Sequence, residues 1–187
     1  MGAIRQTPPV KLLLPMFSGD RALFRVAEEA LVARYGPVDY ASAPIAFAYT
    51  HYYDAEFGEE LERRFLAFER LIDPSELATI KVFTNDLEER LGETIKGTIQ
   101  RRINLDPGYL SLGKLVLATT KDHAHRIYLG QGIFAEVTLS YRGGRFQSWP
   151  WTYPDYQSEA YRAVLREVRA IYAAQLKALR RRDAQDR

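Results

Sequence analysis

Two short stretches of this sequence contain residue types that could do chemistry. The first, GYLSLGKL at 108–115, has the G-x-x-x-x-G-K spacing of a phosphate-binding loop but ends on Leu115, where such loops carry Ser or Thr. In those loops backbone N–H groups wrap the phosphates, the lysine reaches the β- and γ-oxygens, and the hydroxyl holds Mg²⁺. Leu115 cannot bind a metal ion, and nothing downstream reads as an apolar strand ending in a magnesium-binding aspartate. The stretch is therefore interpreted as turn chemistry and not as a GTPase motif.

The second stretch, TTKDHAHR at 119–126, brings hydroxyl, acidic, cationic and imidazole groups together. Such groups bind anions, phosphate in particular, through charge-assisted hydrogen bonds, and we expect Lys121, His125 and Arg126 to do so. His123 and His125 are spaced i, i+2, so on a strand they would share one face, as two metal ligands could. A polar loop that leads into a strand is the structural alternative.

Hairpin signals next to this stretch predict which side chains meet. Strands at 125–129 and 133–141 surround a turn at 130–132, and a symmetric turn would place Arg126 opposite Glu136. A second turn, Gly143-Gly144, leads to a third strand at 145–149. The alternation predicts a polar and aromatic face with Arg126, Tyr128, Phe134, Glu136 and Thr138, and a core face with Ile127, Leu129, Ala135, Val137, Leu139 and Tyr141. The charged pair could be the floor of a binding site or a plain cross-strand salt bridge.

If the site performs chemistry, its carboxylates and imidazole are the candidate catalytic groups. We expect Glu136 or Asp106 to act as the general base and His125 as the acid or proton shuttle. The segment at 149–156, WPWTYPDY, crowds four aromatic rings and two prolines before the last helix. It could cover a ligand or offer a stacking surface, or it could simply close the core. Asp155 is a candidate N-cap for that helix.

Both helices and strands are expected to position these residues, which predicts an α+β fold. It would be a single domain with an antiparallel sheet, including the C-terminal hairpins, packed against amphipathic helices. Residues 1–9 are expected to be a flexible arm and 10–187 the globular domain. Hydrophobic periodicity and turn residues predict a strand at Val10–Phe17, a helix from 20 to 35, extended chain at 38–50, an amphipathic helix at 55–72, mostly helix at 75–91, a strand at 98–105, a helix or buried strand at 110–119, and a helix from Asp155 to about Leu179.

Composition narrows the class of protein. The 187 residues include no cysteine, which excludes disulfides, Cys-ligated zinc and thiol nucleophiles. The net charge of +2 is too small for a field that binds nucleic acid unaided, so there is no strong nucleic-acid signal. No apolar run approaches membrane-spanning length, and the N-terminus lacks an apolar signal-peptide core. We therefore expect a cytoplasmic protein without membrane contact; its cofactor and oligomeric state are not predicted.

Several longer motifs resemble one known family. They are YGPVDYASAP (35–44), THYYDAEFG (50–58), FERLIDP (68–74), IKVFTN (80–85), NLDPGYL (104–110), KLVLATTKDHAHRIYL (114–129), GIFAEVTL (132–139) and WTYPDY (151–156). The sequence resembles the uncharacterised bacterial family catalogued as domain of unknown function 4416, some members of which carry the label GTP-binding protein. That label would depend on the defective loop at 108–115. Phe57 stands where the family pattern is expected to have Met.

The resemblance implies which polar and aromatic residues belong to a shared pattern, but no activity. The matching positions are Asn104, Asp106, Lys114, Thr119, Thr120, Lys121, His125, Arg126, Tyr128, Glu136, Thr138, Trp151, Tyr153, Asp155 and Tyr156. Apart from Asn104, these are our candidate site residues. The favoured function is a pocket for a small phosphate- or carboxylate-bearing ligand, nucleotides included. The alternatives are a non-catalytic module that binds protein or RNA and a metal-dependent hydrolase using His123, His125 and Asp122 or Glu136.

Overall fold

The computed structural model describes residues 2–4, 7–47 and 60–185, the side chain of Asp183 excepted. Within these ranges the helices are α1 (Arg21–Tyr35), α2 (Leu77–Arg90) and α3 (Glu159–Gln185). The strands are β1 (Val10–Ser18), β2 (Val38–Ala41), β3 (Ile45–Ala46), β4 (Glu62–Ile72), β5 (Glu93–Ile95), β6 (Thr98–Gln100), β7 (Asn104–Leu105), β8 (Gly108–Leu110), β9 (Lys114–Thr119), β10 (Ile127–Gly130), β11 (Ile133–Arg142) and β12 (Arg145–Ser148).

One large antiparallel sheet dominates the described chain, which confirms the α+β class. Its strands run in the order β10-β11-β9-β8-β1-β4-β2, with β12 beside β11, β3 beside β4 and β7 beside β1. A separate hairpin, β5–β6, follows α2. The predicted strand at 98–105 is therefore divided between this hairpin and β7. The segment at 75–91 is helical as predicted. For 110–119, where a helix or a buried strand was predicted, the structure has strands.

Helices cover the sheet on both faces. On one face, α1 and α2 pack against Leu12, Leu14 and Met16 of β1, and on the other, α3 packs against the core that contains Leu13. A strand covered on both faces needs apolar residues at successive positions, which is why β1 reads as one apolar run. In the described part of the chain, no helix is long and apolar enough to span a membrane.

The prediction of a helix at 55–72 is wrong for its described part, because Glu62–Ile72 is strand β4. Residues 48–59 lie outside the described ranges. Within β4 the four residues from Phe65 to Phe68 are all buried, alternately in the two cores. Burial on both faces removes the two-residue alternation that marks a strand, so the remaining apolar spacing imitated a helix.

The strand pairing beside β1 is interrupted at Asp106-Pro107. β7 pairs with β1 at Met16 and Phe17, whereas β8 pairs with it from Lys11 to Leu13. Pro15 lies at the gap and has no N–H to donate, while its carbonyl accepts the amide of Asp106 at 2.9 Å. This break turns the chain at Asp106 out of the regular ladder.

The GYLSLGKL stretch is a β-hairpin made of β8, a short turn and the start of β9. Gly108 lies inside β8, where an added Cβ would stand 2.3 Å from the carbonyl oxygen of Val116. Close strand approach therefore requires this glycine. A phosphate-binding loop would instead lead from a strand into a helix, so the structure agrees with turn chemistry.

The C-terminal hairpins follow the predicted order with local differences. Arg142 pairs with Arg145 as predicted, but Ile133 pairs with Gly130 and not with Leu129. A register shift between Val137 and Leu139 puts these two side chains in different cores. The predicted core face is therefore wrong in part, because Ile127 and Leu129 on the outermost strand are exposed. Alternation alone does not reveal a bulge or an uncovered edge.

The last helix begins later than predicted. Pro154–Gln157 forms a single 3-10 turn, and α3 starts at Glu159. The hydroxyl of Ser158, and not the carboxylate of Asp155, accepts the amide of Tyr161 at 3.3 Å. The capping role predicted for Asp155 therefore belongs to Ser158, and the Asp155 carboxylate is turned toward the interior.

Candidate functional site

A cavity of about 750 Å³ lies beyond the end of β9 and beside the break between β7 and β8. This volume is typical of small-molecule sites. Part of its wall comes from α2 on one side of the sheet, and part from the segment Tyr153–Tyr156 that precedes α3 on the other. The charged side chains that line it are Arg63, Lys81, Glu88, Glu89, Arg101, Asp106, Lys121, Arg126, Glu136 and Asp155.

Arg63 is the buried centre of one charged cluster. It lies on β4 with its guanidinium over the stacked rings of Phe17 and Phe47, at 4.8 and 4.9 Å from their centroids. One terminal nitrogen donates to Asp106 at 3.0 Å and the other to Asp155 at 3.2 Å. Burial alone would lower the pKa of Arg63, but neighbouring phenols and these carboxylates raise it, so the charge is permanent.

Asp106 connects this cluster to α2. Its second oxygen lies 3.9 Å from the ammonium of Lys81. Burial alone would raise the pKa of Asp106, but the positive charges of Lys81 and Arg63 outweigh it and hold the pKa below its usual value. The carboxylate is therefore ionised at neutral pH. About 30% of its side chain remains exposed, toward the cavity that it lines.

A buried pair on α2 secures strand β7. The ammonium of Lys81 donates to the carbonyl of Leu105 at 2.8 Å, and the carboxylate of Glu88 accepts the amide of the same residue at 2.6 Å. Arg101 donates to the other Glu88 oxygen at 3.1 Å. Burial raises the pKa of Glu88 despite these partners. The two side chains thus replace the hydrogen bonds that a further strand would have made.

The segment before α3 adds an acid and a phenol to the wall. Burial raises the pKa of Asp155, although Arg63 and the amide of Tyr156 oppose the shift. Burial also raises the pKa of Tyr156 well above its usual value. The Tyr156 hydroxyl is inaccessible to solvent and has no hydrogen-bond partner among the described residues. A buried polar group in that condition is costly unless a ligand or water satisfies it.

Arg126 and Glu136 form the second cluster, and they face each other as predicted. The Nε of Arg126 donates to Glu136 at 2.8 Å, and each side chain is about 3% exposed. The same carboxylate oxygen lies 3.1 Å from Nε2 of His125, and its other oxygen accepts the hydroxyl of Thr138 at 3.3 Å. Trp151 stacks on His125 with ring centroids 5.1 Å apart. Glu136 therefore fixes both neighbouring basic side chains.

The residues after β9 form the accessible rim of the cavity. The Thr119 hydroxyl accepts the amide of Lys121 at 3.2 Å, which turns the chain. Thr120 and Lys121 are exposed and line the opening. Arg126 reaches this rim through its bonds to the Lys121 carbonyl and the Tyr153 hydroxyl, at 2.9 and 3.3 Å.

The structure brings most of the predicted site residues to one place. Those that line the cavity are Asp106, Thr119, Thr120, Lys121, Arg126, Glu136, Tyr153, Asp155 and Tyr156. His125, Thr138 and Trp151 stand behind Glu136, as described above. Lys114 does not join them, because it lies at the opposite end of β9 from Thr119, roughly 16 Å away at 3.3 Å per residue. Tyr128 also lies outside, exposed on β10.

Sequence reasoning missed the cavity residues that precede Asn104 in the chain. They are Phe47, Arg63, Lys81, Asn85, Glu88, Glu89 and Arg101. A usable signal was present for one of them, since Lys81 is a single charge inside the apolar run IKVF, whereas Arg63 lies in the charged run ERR. A charge that is buried in such a run needs a specific partner.

The described residues offer no support for a metal centre. They contain no group of three or more His, Asp or Glu side chains placed to hold one ion. The rings of His123 and His125 stack in parallel, with centroids 5.9 Å apart. Their spacing is thus accounted for by the ring stack that continues through Trp151 and Trp149.

Comparisons with known proteins identify a family whose description names no function. The family model described as Domain of unknown function (DUF4416) matches residues 8–172. No curated protein matches the chain significantly. No solved structure matches it significantly either.

Proposed function

We propose a function from the cavity itself, because the chain belongs to the family described as Domain of unknown function (DUF4416), a description that names no activity. The cavity binds a small ligand with a phosphate or carboxylate group, nucleotides included. The observation that carries this proposal is the convergence of Thr119, Thr120, Lys121 and Arg126 on the rim of one cavity. Their hydroxyl and cationic groups are the donors that anions bind.

The rim has donors to spare for an anion. Within the described ranges, Arg126 engages each of its three nitrogens once, with Glu136, the Lys121 carbonyl and Tyr153. A guanidinium has five N–H donors, so two remain for a ligand. Arg63, deeper inside, is paired with two carboxylates, those of Asp106 and Asp155, whereas Arg126 is paired with one, that of Glu136. The anionic group of the ligand therefore binds at the rim.

The catalytic roles remain part of the proposal. Asp106, whose side chain is 30% exposed toward the cavity, is better placed to act as the general base than Glu136, which is 3% exposed and enclosed by Arg126 and His125. Glu136 then positions Arg126, and His125 moves the proton if the ligand is transformed. A cytoplasmic setting, which the cysteine-free sequence favours, belongs to the same proposal.

Thermal denaturation with a fixed ligand panel tests the proposed function. The panel is inorganic phosphate, pyrophosphate, ATP, GTP, glucose 6-phosphate and citrate. We expect at least one compound to raise the Tm, because a ligand at about 100 times its Kd stabilises the native state by about 2.7 kcal/mol. Lys121→Gln should reduce that shift, whereas Lys177→Gln, the same charge change on exposed α3, should retain it. The proposal fails if no compound raises the Tm or if both variants respond alike.

A second candidate function is pairing with a second copy of the chain through β10. This strand is the edge of the sheet, and its Ile127, Tyr128 and Leu129 are exposed, Ile127 by 72%. An exposed apolar edge strand is a template for another strand. The four residues of β10 are uncharged, so antiparallel self-pairing brings no like charges together, and the absence of Lys and Arg disfavours RNA. Light scattering should then show a dimer that Ile127→Lys dissociates; a monomeric wild type rejects this function.

A further inference from the structure

We propose that the ligand carries, besides its anionic group, a neutral hydroxyl that donates a hydrogen bond to Asp106. The cavity then takes a hydroxylated organic phosphate or carboxylate, with sugar phosphates as the model compounds. This inference rests on the proposed function and specifies its ligand. It uses the inner end of the cavity, whereas the proposed function depends on the rim.

Asp106 is the most accessible carboxylate of the two charged clusters. Its side chain is 30% exposed, whereas those of Glu88, Asp155 and Glu136 are exposed by 7% or less. Its carboxylate accepts hydrogen bonds from Arg63, at 3.0 Å, and from the side chain of Asn104, and Lys81 is 3.9 Å away, beyond hydrogen-bond length. A carboxylate has about four acceptor positions, so Asp106 keeps some for a donor in the cavity.

The charges around Asp106 select a neutral donor. A ligand ammonium at this carboxylate would lie close to the cations of Arg63 and Lys81 and be repelled by both. A second anionic group would meet Asp106 itself, with Asp155 on the same guanidinium. A hydroxyl donates one hydrogen bond without adding a charge, and it therefore fits this balanced cluster.

The Tyr156 hydroxyl is an independent sign of a ligand at the same end. It belongs to a cavity-lining residue that is 2% exposed, and it has no partner among the described residues. Its phenol interacts electrostatically with both Asp155 and Asp106, so it lies in the same cluster. Because this hydroxyl is closed to solvent, a ligand hydroxyl next to the one on Asp106 exchanges a hydrogen bond with it once the phenol has turned toward the cavity. A compound with neighbouring hydroxyls satisfies both protein groups.

Fluorescence titrations of the full chain provide the test. The two tryptophans, Trp149 and Trp151, stack beside His125. Their fluorescence therefore reports on the part of the cavity wall that His125 contacts. The probes are inorganic phosphate, ribose 5-phosphate, glucose 6-phosphate and glucosamine 6-phosphate, the last with an ammonium in place of a hydroxyl. Kd values are measured for the wild type, Asp106→Asn and Tyr156→Phe, and circular dichroism checks that each variant is folded.

We expect a sugar phosphate to bind at least about tenfold more tightly than inorganic phosphate, since each added hydrogen bond contributes affinity. Glucosamine 6-phosphate should bind more weakly than glucose 6-phosphate. Asp106→Asn should weaken the sugar phosphate but leave or strengthen phosphate binding, because a carboxylate near the anion is removed. Tyr156→Phe, which keeps the ring, should weaken the sugar phosphate alone.

The possible failures are distinguishable. If phosphate and the sugar phosphates bind equally, or if both variants bind sugar phosphates like the wild type, the hydroxyl inference is overturned while anion binding stands. If the ammonium compound binds more tightly than glucose 6-phosphate, the neutral donor is wrong. If none of the four probes binds and the six-compound panel leaves the Tm unchanged, the proposed function fails together with this inference.

Discussion

At the scale of single residues, Arg126 has more consequence for stability than its position near a rim suggests. Among the described residues, Arg126→Ala leaves the buried Glu136 carboxylate with His125 and Thr138 as its remaining partners. Removing one member of a buried ion pair typically costs about 3–5 kcal/mol. We therefore expect Arg126→Ala to lower the free energy of unfolding by roughly that amount in urea denaturation.

A matched control is available on α3. Arg166 pairs with Glu159 at 2.6 Å, but both side chains are open to solvent. Exposed pairs contribute about 1 kcal/mol or less, so Arg166→Ala should be nearly neutral. Equal losses in the two variants would contradict the assignment of the Arg126–Glu136 pair as a buried one. This instability also means that a binding defect in Arg126→Ala alone could not identify a ligand contact.

Two carboxyls at the cavity predict opposite dependences of stability on pH. Cations hold the pKa of Asp106 below its ordinary value of 3.8, overcoming the burial that would raise it. Its contribution is therefore present above that value and lost as the pH falls through the folded-state pKa. Burial raises the pKa of Glu88 above its ordinary value of 4.5. Its contribution is complete below that value and lost as the pH rises through the folded-state pKa.

Unfolding free energies at a series of pH values between about 3 and 8 measure both effects. The difference between wild type and Asp106→Asn should shrink toward the acid end, whereas the difference between wild type and Glu88→Gln should shrink as the pH rises. Two difference curves with the same sign of slope would show that one of these environments is misassigned.

At the scale of elements, the hairpin that contains GYLSLGKL distinguishes its two glycines. An added Cβ at Gly108 would meet the Val116 carbonyl at 2.3 Å and the Leu117 side chain at 2.6 Å, whereas at Gly113 it would meet nothing within 4 Å. Overpacking of this kind costs about 1–3 kcal/mol. Gly108→Ala should therefore destabilise the protein by that amount, with Gly113→Ala close to neutral in the same denaturation experiment. Similar losses at both positions would be inconsistent with a hairpin in which only β8 is tightly packed.

The elements also explain which parts of the fold the sequence could predict. Helix α1 was predictable because one of its faces is buried, its start is capped by Asp20 and its end is marked by Gly36. Strand β4 was not, because helices on both faces of the sheet bury its successive residues and remove the alternation. Hydrophobic periodicity identifies an element when one of its faces is exposed to solvent. It gives no signal when both faces are buried.

The candidate site, like the fold, could be predicted from the sequence only in part. Arg126 and Glu136 could be paired from the sequence because a short hairpin fixes their register. The contact of Arg63 with Asp106 could not be predicted, since it joins strand β4 to the distant break between β7 and β8 and depends on the gap opposite Pro15. The orientation of Asp155 followed only from the 3-10 turn, which gave the capping position to Ser158.

At the scale of the whole molecule, the sheet should join its two cores into one cooperative unit. Strand β1 contributes Leu12 and Leu14 to the core under α1 and α2, and Leu13 to the core under α3. Neither core can therefore be lost without disrupting a strand of the other.

We expect the whole protein to unfold in a single two-state transition. Tryptophan fluorescence, which reports only on Trp149 and Trp151, should give the same urea midpoint and slope as far-UV circular dichroism, which reports on all helices. Leu13→Ala should shift both midpoints together by an amount that corresponds to about 2–5 kcal/mol, the cost of a cavity in a packed core. Separate midpoints for the two signals would mean that the layers unfold independently, and the cavity that they enclose would then open without global unfolding.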